Sequence, residues 1–249
     1  MTAARPNRIP ADGSSHRSVD PRMRLIVALD VSTAAAAQKI VAAVGDSALT
    51  YKVGMQLFTA EGPQLVRDLV ASGRRVFLDL KYHDIPNTVG AAVSEAAKLG
   101  VSMLTIHASG STKMLRAAVE GAKAKPDLMV LAVTVLTSMG RLDTDTIGMS
   151  GTLDQTVLRL AKMAIGNGCH GIVTSAREAK AVREQLGQNF AIVTPGVRPA
   201  GSKVGDQVRV VTPAEAIAAG ATHVVIGRPI TDAADPSAEA AAILKQISG

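Results

Sequence analysis

Aromatic residues and cysteine are scarce in this sequence. Its 249 residues include no tryptophan, two tyrosines and three phenylalanines. Proteins that bind single-stranded nucleic acid stack bases on aromatic side chains, so the composition argues against that class. The single cysteine, Cys169, can form neither an internal disulfide nor a cysteine zinc cage. A disulfide-stabilised secreted scaffold is therefore excluded, and a reducing, cytoplasmic location is predicted.

Long hydrophobic runs are also lacking, and the charge is modest. No stretch approaches the roughly 20 apolar residues of a membrane span, so no membrane partner is expected. Hydrophobic residues make up 47% of the chain and charged residues 19%, which predicts a large core and excludes a disordered chain. The net charge is +6. Five arginines against two aspartates place +3 of it within residues 1–24. The remaining +3 is a weak sign of nucleic-acid binding and suits an anionic small-molecule substrate at least as well.

The first 22 residues differ from the rest of the chain. They contain Pro6, Pro10 and Pro21 and the run DGSS at 12–15, and they show no apolar period. This composition predicts a disordered polar and basic tail over residues 1–22. Residues 23–249 are predicted to form one folded catalytic domain.

From residue 24 onward, short β-branched runs alternate with alanine-rich helical segments. Because the runs carry apolar residues on both faces, they predict strands buried on both sides in a parallel sheet. Eight such units in about 225 residues favour a single (β/α)8 TIM barrel. An open doubly wound sheet is the alternative, but the first run ends in DVST at 30–33, without the glycine-rich turn of that fold. The predicted strands are 25–31, 49–54, 76–81, 103–108, 129–136, 171–175, 191–196 and 224–227. The predicted helices are 33–44, 62–72, 88–99, 113–124, 153–166, 178–186, 213–219 and 236–247.

Charged residues gather where these strands end, which is where barrel enzymes place their active sites. Asp30 ends the first strand, Lys52 lies on the second, and Asp79 and Lys81 end the third, with Asp84 just beyond. Asp79 and Lys81 are two residues apart, so on a regular strand they share the inward face. A structural ion pair that closes the barrel would also explain two of these charges. Five charges converging on one mouth favour chemistry instead.

A phosphate site is predicted at the ends of the last two strands. Gly227 and Arg228 follow the eighth strand, and Gly196 and Arg198 follow the seventh. In barrels these two loops often bind phosphate, through backbone N–H groups and an arginine fork. The histidines show no metal-ligand spacing, so no metal site is expected. His107 could line the active site, but it is interpreted, like Cys169, as a packing residue.

The third strand also carries a longer motif. Residues 79–88, DLKYHDIPNT, resemble the signature Asp-x-Lys-x-x-Asp-Ile-Pro-x-Thr of the orotidine 5′-phosphate decarboxylase family. Further blocks resemble the family in the same order, so the likeness covers about residues 24–230. These blocks are IVALD at 26–30, YKVG at 51–54, VLTS at 135–138, TPGVR at 194–198, DQVR at 206–209 and VIGRPI at 225–230.

The resemblance implies a function and a role for each matched residue. The function is decarboxylation of orotidine 5′-phosphate to uridine 5′-phosphate, the last step of de novo pyrimidine nucleotide synthesis, without a cofactor. Lys81 would donate the proton within a charge network that it forms with Lys52, Asp79 and Asp84. The implied substrate-binding residues are Asp30, Lys52, Asp79, Thr88, Thr137, Pro195, Arg198, Gln207, Gly227 and Arg228.

The resemblance further implies a homodimer and a lid. Asp84 and Thr88 would reach into the site of the neighbouring subunit. Gln207, Gly227 and Arg228 would hold the phosphate, and residues 198–210 have the glycines of a closing loop.

Two other functions stay open at this point. A metal-dependent sugar-phosphate decarboxylase or lyase on the same barrel shares Asp-x-Lys-x-x-Asp, but carries a magnesium-binding glutamate where this chain has Lys52. A non-catalytic barrel that binds phosphate or nucleic acid has only the basic tail in its favour. It predicts salt-dependent DNA binding and no turnover.

Overall fold

The structure, a computed structural model, describes residues 20–200 and 211–248. Eight strands in these residues pair in parallel in chain order, and β1 also pairs with β8, which closes the sheet into a barrel. The predicted (β/α)8 barrel is thus confirmed, and closure excludes the open sheet. The strands are β1 Leu25–Ala28, β2 Thr50–Gly54, β3 Arg75–Tyr82, β4 Met103–His107, β5 Met129–Val133, β6 Gly171–Val173, β7 Ala191–Thr194 and β8 His223–Ile226.

Helices cover the outside of the barrel between consecutive strands. Those within the described residues are α1 Pro21–Arg24, α2 Ala34–Val44, α3 Met55–Ala71, α4 Pro86–Lys98, α5 Ser111–Ala122, α6 Arg141–Thr146, α7 Leu153–Gly166, α8 Ala176–Leu186, α9 Pro213–Ala218, α10 Arg228–Thr231 and α11 Pro236–Ile247. Three short ones, α1, α6 and α10, were not predicted. Each has only four to six residues, too few to show a helical period.

The predicted element bounds need correction at several places. The apolar run 129–136 was predicted as one strand, but β5 ends at Val133, and Val135 and Leu136 are apolar because they line a cavity. Helix α3 begins at Met55, not at residue 62. Gly62 adopts a left-handed φ of 68° inside it, so the helix bends there and resumes at Pro63.

The N-terminal boundary also differs from the prediction. Pro21 and Arg22, assigned to the tail, lie in α1, and the Asp20 side chain accepts a hydrogen bond from the Arg22 backbone N–H and so caps this helix. Residues 1–19 of the predicted tail lie outside the described residues.

Two apolar layers form the core. The larger one lies between the sheet and the helices. The smaller one fills the barrel interior and includes Ile26, Phe77, Met103, Leu131 and Val225. Since inward positions alternate along a strand, Phe77 and Met103 also fix which polar residues point inward nearer the mouth. These are Asp79 on β3 and Thr105 on β4.

One buried hydroxyl in the core gives a stability prediction. Thr194 is fully buried, and among the described residues its Oγ1 has no hydrogen-bond partner. Thr194→Val keeps the shape and removes the unsatisfied group, so we expect the free energy of unfolding to rise by about 1 kcal/mol. Thermal denaturation should show a melting temperature about 2–4 °C higher.

Thr222 is the matched control. Its hydroxyl donates to the Ile192 carbonyl, accepts from the Ile192 N–H and lies 2.8 Å from His223 Nδ1. Thr222→Val should therefore lower the melting temperature. Equal shifts in both variants would contradict the explanation.

Candidate active site

A cavity of about 630 Å³ opens where the barrel strands end. Its floor is apolar and includes Phe77 and Val225, while its walls carry four cationic and three acidic side chains. An anionic ligand with an apolar ring fits such a lining. Nine of the predicted site residues line this cavity: Asp30, Lys52, Asp79, Lys81, Thr137, Pro195, Arg198, Gly227 and Arg228.

Two ion pairs lie at the mouth. Lys52 Nζ donates to Asp30 Oδ1 at 2.7 Å, and Lys81 Nζ donates to Asp79 Oδ1 at 2.9 Å. The Asp79 and Lys81 side chains are 14% and 24% exposed, whereas that of Asp30 is 63% exposed. The inner pair is thus largely shielded from water yet reachable from the cavity, so its interaction is stronger than that of a surface pair.

Gly54 makes room for the outer pair. A Cβ at this position would lie 3.1 Å from Lys52 Nζ and 3.7 Å from Asp30 Oδ1. Even an alanine would crowd the ammonium, so the glycine belongs to the way this chain places Lys52.

Asp79 and Lys81 were predicted to share one face of a regular strand, but the strand is irregular at this point. In the β3–β4 pairing, Leu78 lies opposite Leu104 and Tyr82 lies opposite Ile106, with a bulge between them. Lys81 has a left-handed φ of 52°, which residues with a Cβ rarely adopt. The bulge, and not simple alternation along the strand, therefore brings the Lys81 side chain to Asp79.

Thr105 is a residue of this site that the sequence analysis missed. It is fully buried on β4, and its hydroxyl donates to Asp79 Oδ1 at 2.9 Å. The Thr105 hydroxyl oxygen in turn accepts the Lys81 backbone N–H at 2.9 Å. The one available signal was a polar side chain at an inward position of an apolar strand.

The predicted phosphate side is built from the ends of β7 and β8. Gly227 precedes α10, which begins at Arg228, and both residues line the cavity. Arg198 is 7% exposed and lines the cavity from the other side. Its backbone N–H donates to the Val211 carbonyl at 3.0 Å. Gln207 and residues 201–210 of the predicted lid lie outside the described residues.

Asp84 and Thr88 do not line the cavity of their own chain. Both are exposed, and Asp84 Oδ1 accepts the backbone N–H of Ile85 just before α4. Ile85 is 66% exposed, which is unusual for an isoleucine beside a charged mouth. These three exposed residues lie between the end of β3 and the first turn of α4.

Cys169 and His107, which are predicted to be packing residues, belong to neither ion pair. Burial raises the pKa of the Cys169 thiol to about 12, as expected of a packing residue. The pKa of His107 is lowered, mainly by burial and then by the nearby His83 and Lys81 charges. The His107 ring lies 5.3 Å from the His83 ring.

Within residues 20–200 and 211–248, no cluster of three or more His, Cys, Asp or Glu side chains is arranged to hold a metal. In the same described residues, no helix is long enough and apolar enough to span a membrane.

Comparison with known proteins agrees with this geometry. Residues 23–243 match the model of the orotidine 5′-phosphate decarboxylase / HUMPS family. The chain is 51% identical over 226 residues to the orotidine 5′-phosphate decarboxylase of Idiomarina loihiensis, covering 90% of this chain and 97% of that protein. It is also 51% identical over 232 residues to the Halorhodospira halophila enzyme of the same name, covering 93% and 98%.

A solved structure extends the likeness to three dimensions. The crystal structure of orotidine 5′-phosphate decarboxylase from Lactobacillus acidophilus superimposes with a TM-score of 0.83 at 38% identity. The match covers 91% of this chain and all of that one. By its sequence and by its fold, this chain belongs to the orotidine 5′-phosphate decarboxylase / HUMPS family.

Proposed function

We propose that this protein decarboxylates orotidine 5′-phosphate to uridine 5′-phosphate, completing de novo pyrimidine nucleotide synthesis. The observation that carries the proposal is the Lys81–Asp79 pair, held at 2.9 Å in a cavity that also contains Gly227 and Arg228. A proton donor and a phosphate-binding end in one 630 Å³ cavity fit a nucleotide. The names of the relatives support the same activity.

Lys81 supplies the central step. When the bond between C6 and the carboxylate breaks, CO₂ leaves and the electron pair stays on C6. The Lys81 ammonium stabilises this developing negative charge and then transfers its proton to C6. Solvent returns a proton to the amine, so one proton is consumed for each CO₂ released. Every group in this step belongs to the protein or the substrate, so the proposal includes no cofactor.

Asp79 orients the ammonium and faces the substrate carboxylate. The 2.9 Å contact between Asp79 Oδ1 and Lys81 Nζ holds the ammonium in place at the cavity. A carboxylate beside the leaving carboxylate also repels it, and that repulsion ends when CO₂ departs. Proton donation by Lys81 is the larger contribution in this mechanism.

The outer pair and the phosphate end bind the rest of the nucleotide. Asp30 and Lys52 provide an acceptor and a donor for the ribose hydroxyls, and Thr137 lies at the cavity wall for the pyrimidine. Gly227, Arg228 and Arg198 take the phosphate, and Gln207, which lies outside the described residues, is the further phosphate ligand that the resemblance implies. Binding energy from this remote phosphate contributes to catalysis at the base.

The proposal includes a homodimer in which Asp84 and Thr88 complete the partner's site. Their exposure, and their position outside the cavity of their own chain, support this assignment. Exposed Ile85 beside them would be buried in the interface. With a single, buried cysteine, the protein suits the reducing cytoplasm.

The direct test of the activity is an absorbance assay. Purified protein with orotidine 5′-phosphate and EDTA should show loss of the ultraviolet absorbance of the substrate at an undiminished rate. The Lys52 ammonium occupies the mouth where the metal-dependent relatives carry an acidic ligand, and a cation there repels a divalent metal. Turnover that stops in EDTA and returns with magnesium would favour the metal-dependent alternative.

Arg228→Ala tests the phosphate end. The variant loses a charge-assisted fork worth about 1.5–3 kcal/mol, so KM for the nucleotide should rise at least about tenfold. For orotidine without its phosphate, kcat/KM should change far less. Steady-state kinetics with both substrates makes the comparison, and equal losses would show that Arg228 does not bind phosphate.

A further inference from the structure

We infer that Thr105 is a positioning residue that holds Lys81 and Asp79 in their reactive arrangement through its hydroxyl. This inference rests on the proposed function. It concerns a residue that neither touches the cavity nor belongs to the sequence motif. Two observations support it: the register between β3 and β4, and three hydrogen bonds that share Thr105 Oγ1 and Asp79 Oδ1.

The strand register places Thr105 opposite the bulge. Between the Leu78–Leu104 and Tyr82–Ile106 pairs, β3 has three residues, 79–81, and β4 has only Thr105. A regular ladder would give the backbone groups of β3 carbonyl and N–H partners on β4. In the bulge, the Lys81 N–H donates to the Thr105 hydroxyl oxygen at 2.9 Å instead. The side chain thus replaces a ladder partner that the bulge removes.

The same hydroxyl determines where the Asp79 carboxylate lies. Its hydrogen points to Asp79 Oδ1 at 2.9 Å, and this oxygen also accepts from Lys81 Nζ at 2.9 Å. The Lys81 N–H, the Thr105 hydroxyl, the Asp79 carboxylate and the Lys81 ammonium therefore form a closed ring. Because the hydroxyl donates once and accepts once within the ring, it fixes both ends of Lys81 at the same time.

Burial makes the arrangement depend on the hydroxyl. Thr105 is fully buried, so water cannot replace its oxygen without entering the core. Lys81 keeps a left-handed φ of 52° that is unfavourable for a residue with a Cβ, and such a conformation persists only where the surroundings hold it. Without the Thr105 oxygen, the Lys81 N–H would lose its hydrogen-bond partner. The backbone of the bulge would then change, and Lys81 would leave the left-handed region.

The test compares Thr105→Val, which keeps the shape, with Thr105→Ser, which keeps the hydroxyl. Thr105→Val should lower kcat for orotidine 5′-phosphate up to about 100-fold, because a misplaced reactive group is costly. KM, and the Kd of the product uridine 5′-phosphate, should change less than about threefold, since the ribose and phosphate contacts stay intact. Thr105→Ser should restore most of kcat.

Thr50→Val is the matched control. Thr50 is also fully buried on a barrel strand, but its hydroxyl donates to the Met23 carbonyl at the opposite end of the barrel. This variant should keep the wild-type kcat. Unchanged kcat in Thr105→Val, or an equal loss in the valine and serine variants, would overturn the inference. Should the valine variant fail to fold, the kcat ratio of Thr105→Ser to Thr105→Ala makes the same comparison, and a ratio near one would overturn it.

A crystal structure separates this inference from the proposed activity. In Thr105→Val, or in Thr105→Ala where the valine variant does not fold, Lys81 should leave the left-handed region and its Nζ should move away from Asp79. This result is independent of turnover, so it would stand even where wild-type protein failed to decarboxylate orotidine 5′-phosphate. An unchanged Lys81 backbone would contradict the positioning role whatever the activity.

Discussion

Lys81→Ala is expected to abolish decarboxylation, with kcat reduced at least about 10⁴-fold. The variant loses the proton donor, worth roughly 10²–10⁴, together with the electrostatic stabilisation of the charge at C6. No other cationic side chain of the cavity is paired with Asp79 within the described residues. Single-turnover assays at high enzyme concentration can measure so large a loss.

The fold of this variant should remain intact. Lys81 is 24% exposed at the mouth rather than packed in the core, and alanine removes a side chain without adding one. Circular dichroism and thermal denaturation check this point. Lys98→Ala is the control, since Lys98 forms only a solvent-exposed pair with Glu95 on α4 and should keep full activity. A folded Lys81→Ala protein with near-normal turnover would refute the mechanism.

Asp84→Ala and Lys81→Ala should each be nearly inactive as homodimers, yet restore activity when their subunits are mixed. Asp84 is exposed and lies outside the cavity of its own chain, so we assign it to the site of the partner. In a mixed dimer, one site then combines both lesions. The other combines an intact Lys81 with an intact Asp84 and is wild type.

The quantity to measure is the decarboxylation rate against mixing ratio, after mild denaturation and refolding have exchanged the subunits. Each mixed dimer should show about half the wild-type rate, because one of its two equivalent sites is intact. Asp84 acting within its own subunit would leave one lesion in every site, and no rate would return. A flat response, with exchange verified by pull-down of differently tagged subunits, would remove the case for a shared site.

The sequence alone predicts the barrel well, because the barrel follows from repeated short-range patterns. Apolar runs such as 25–31 mark each strand, and alanine-rich segments between them mark the helices. The bounds are less accurate, since a strand and the cavity wall that follows it are equally apolar. Val135 and Leu136 extend the fifth run for this reason.

The sequence also predicts which charged residues lie at the cavity, but it does not predict how they are held there. Asp30, Lys52, Asp79 and Lys81 are charged residues at strand ends, and a charge in an apolar run is visible in one dimension. The β3 bulge and the role of Thr105 are not, because each depends on the register between two strands. The hydrogen bond between the Thr105 hydroxyl and the Asp79 carboxylate joins residues that are 26 positions apart in the sequence.

The most direct measurement follows the carboxylate and the proton in one reaction. Wild-type protein is incubated in D₂O and EDTA with orotidine 5′-phosphate carrying ¹³C in its carboxylate, and both products are observed by NMR. We predict one ¹³CO₂ for each uridine 5′-phosphate, with deuterium at C6 of the product. Unchanged substrate, release of ¹³CO₂ only after magnesium is added, or a product without deuterium at C6 would contradict decarboxylation with proton delivery from Lys81.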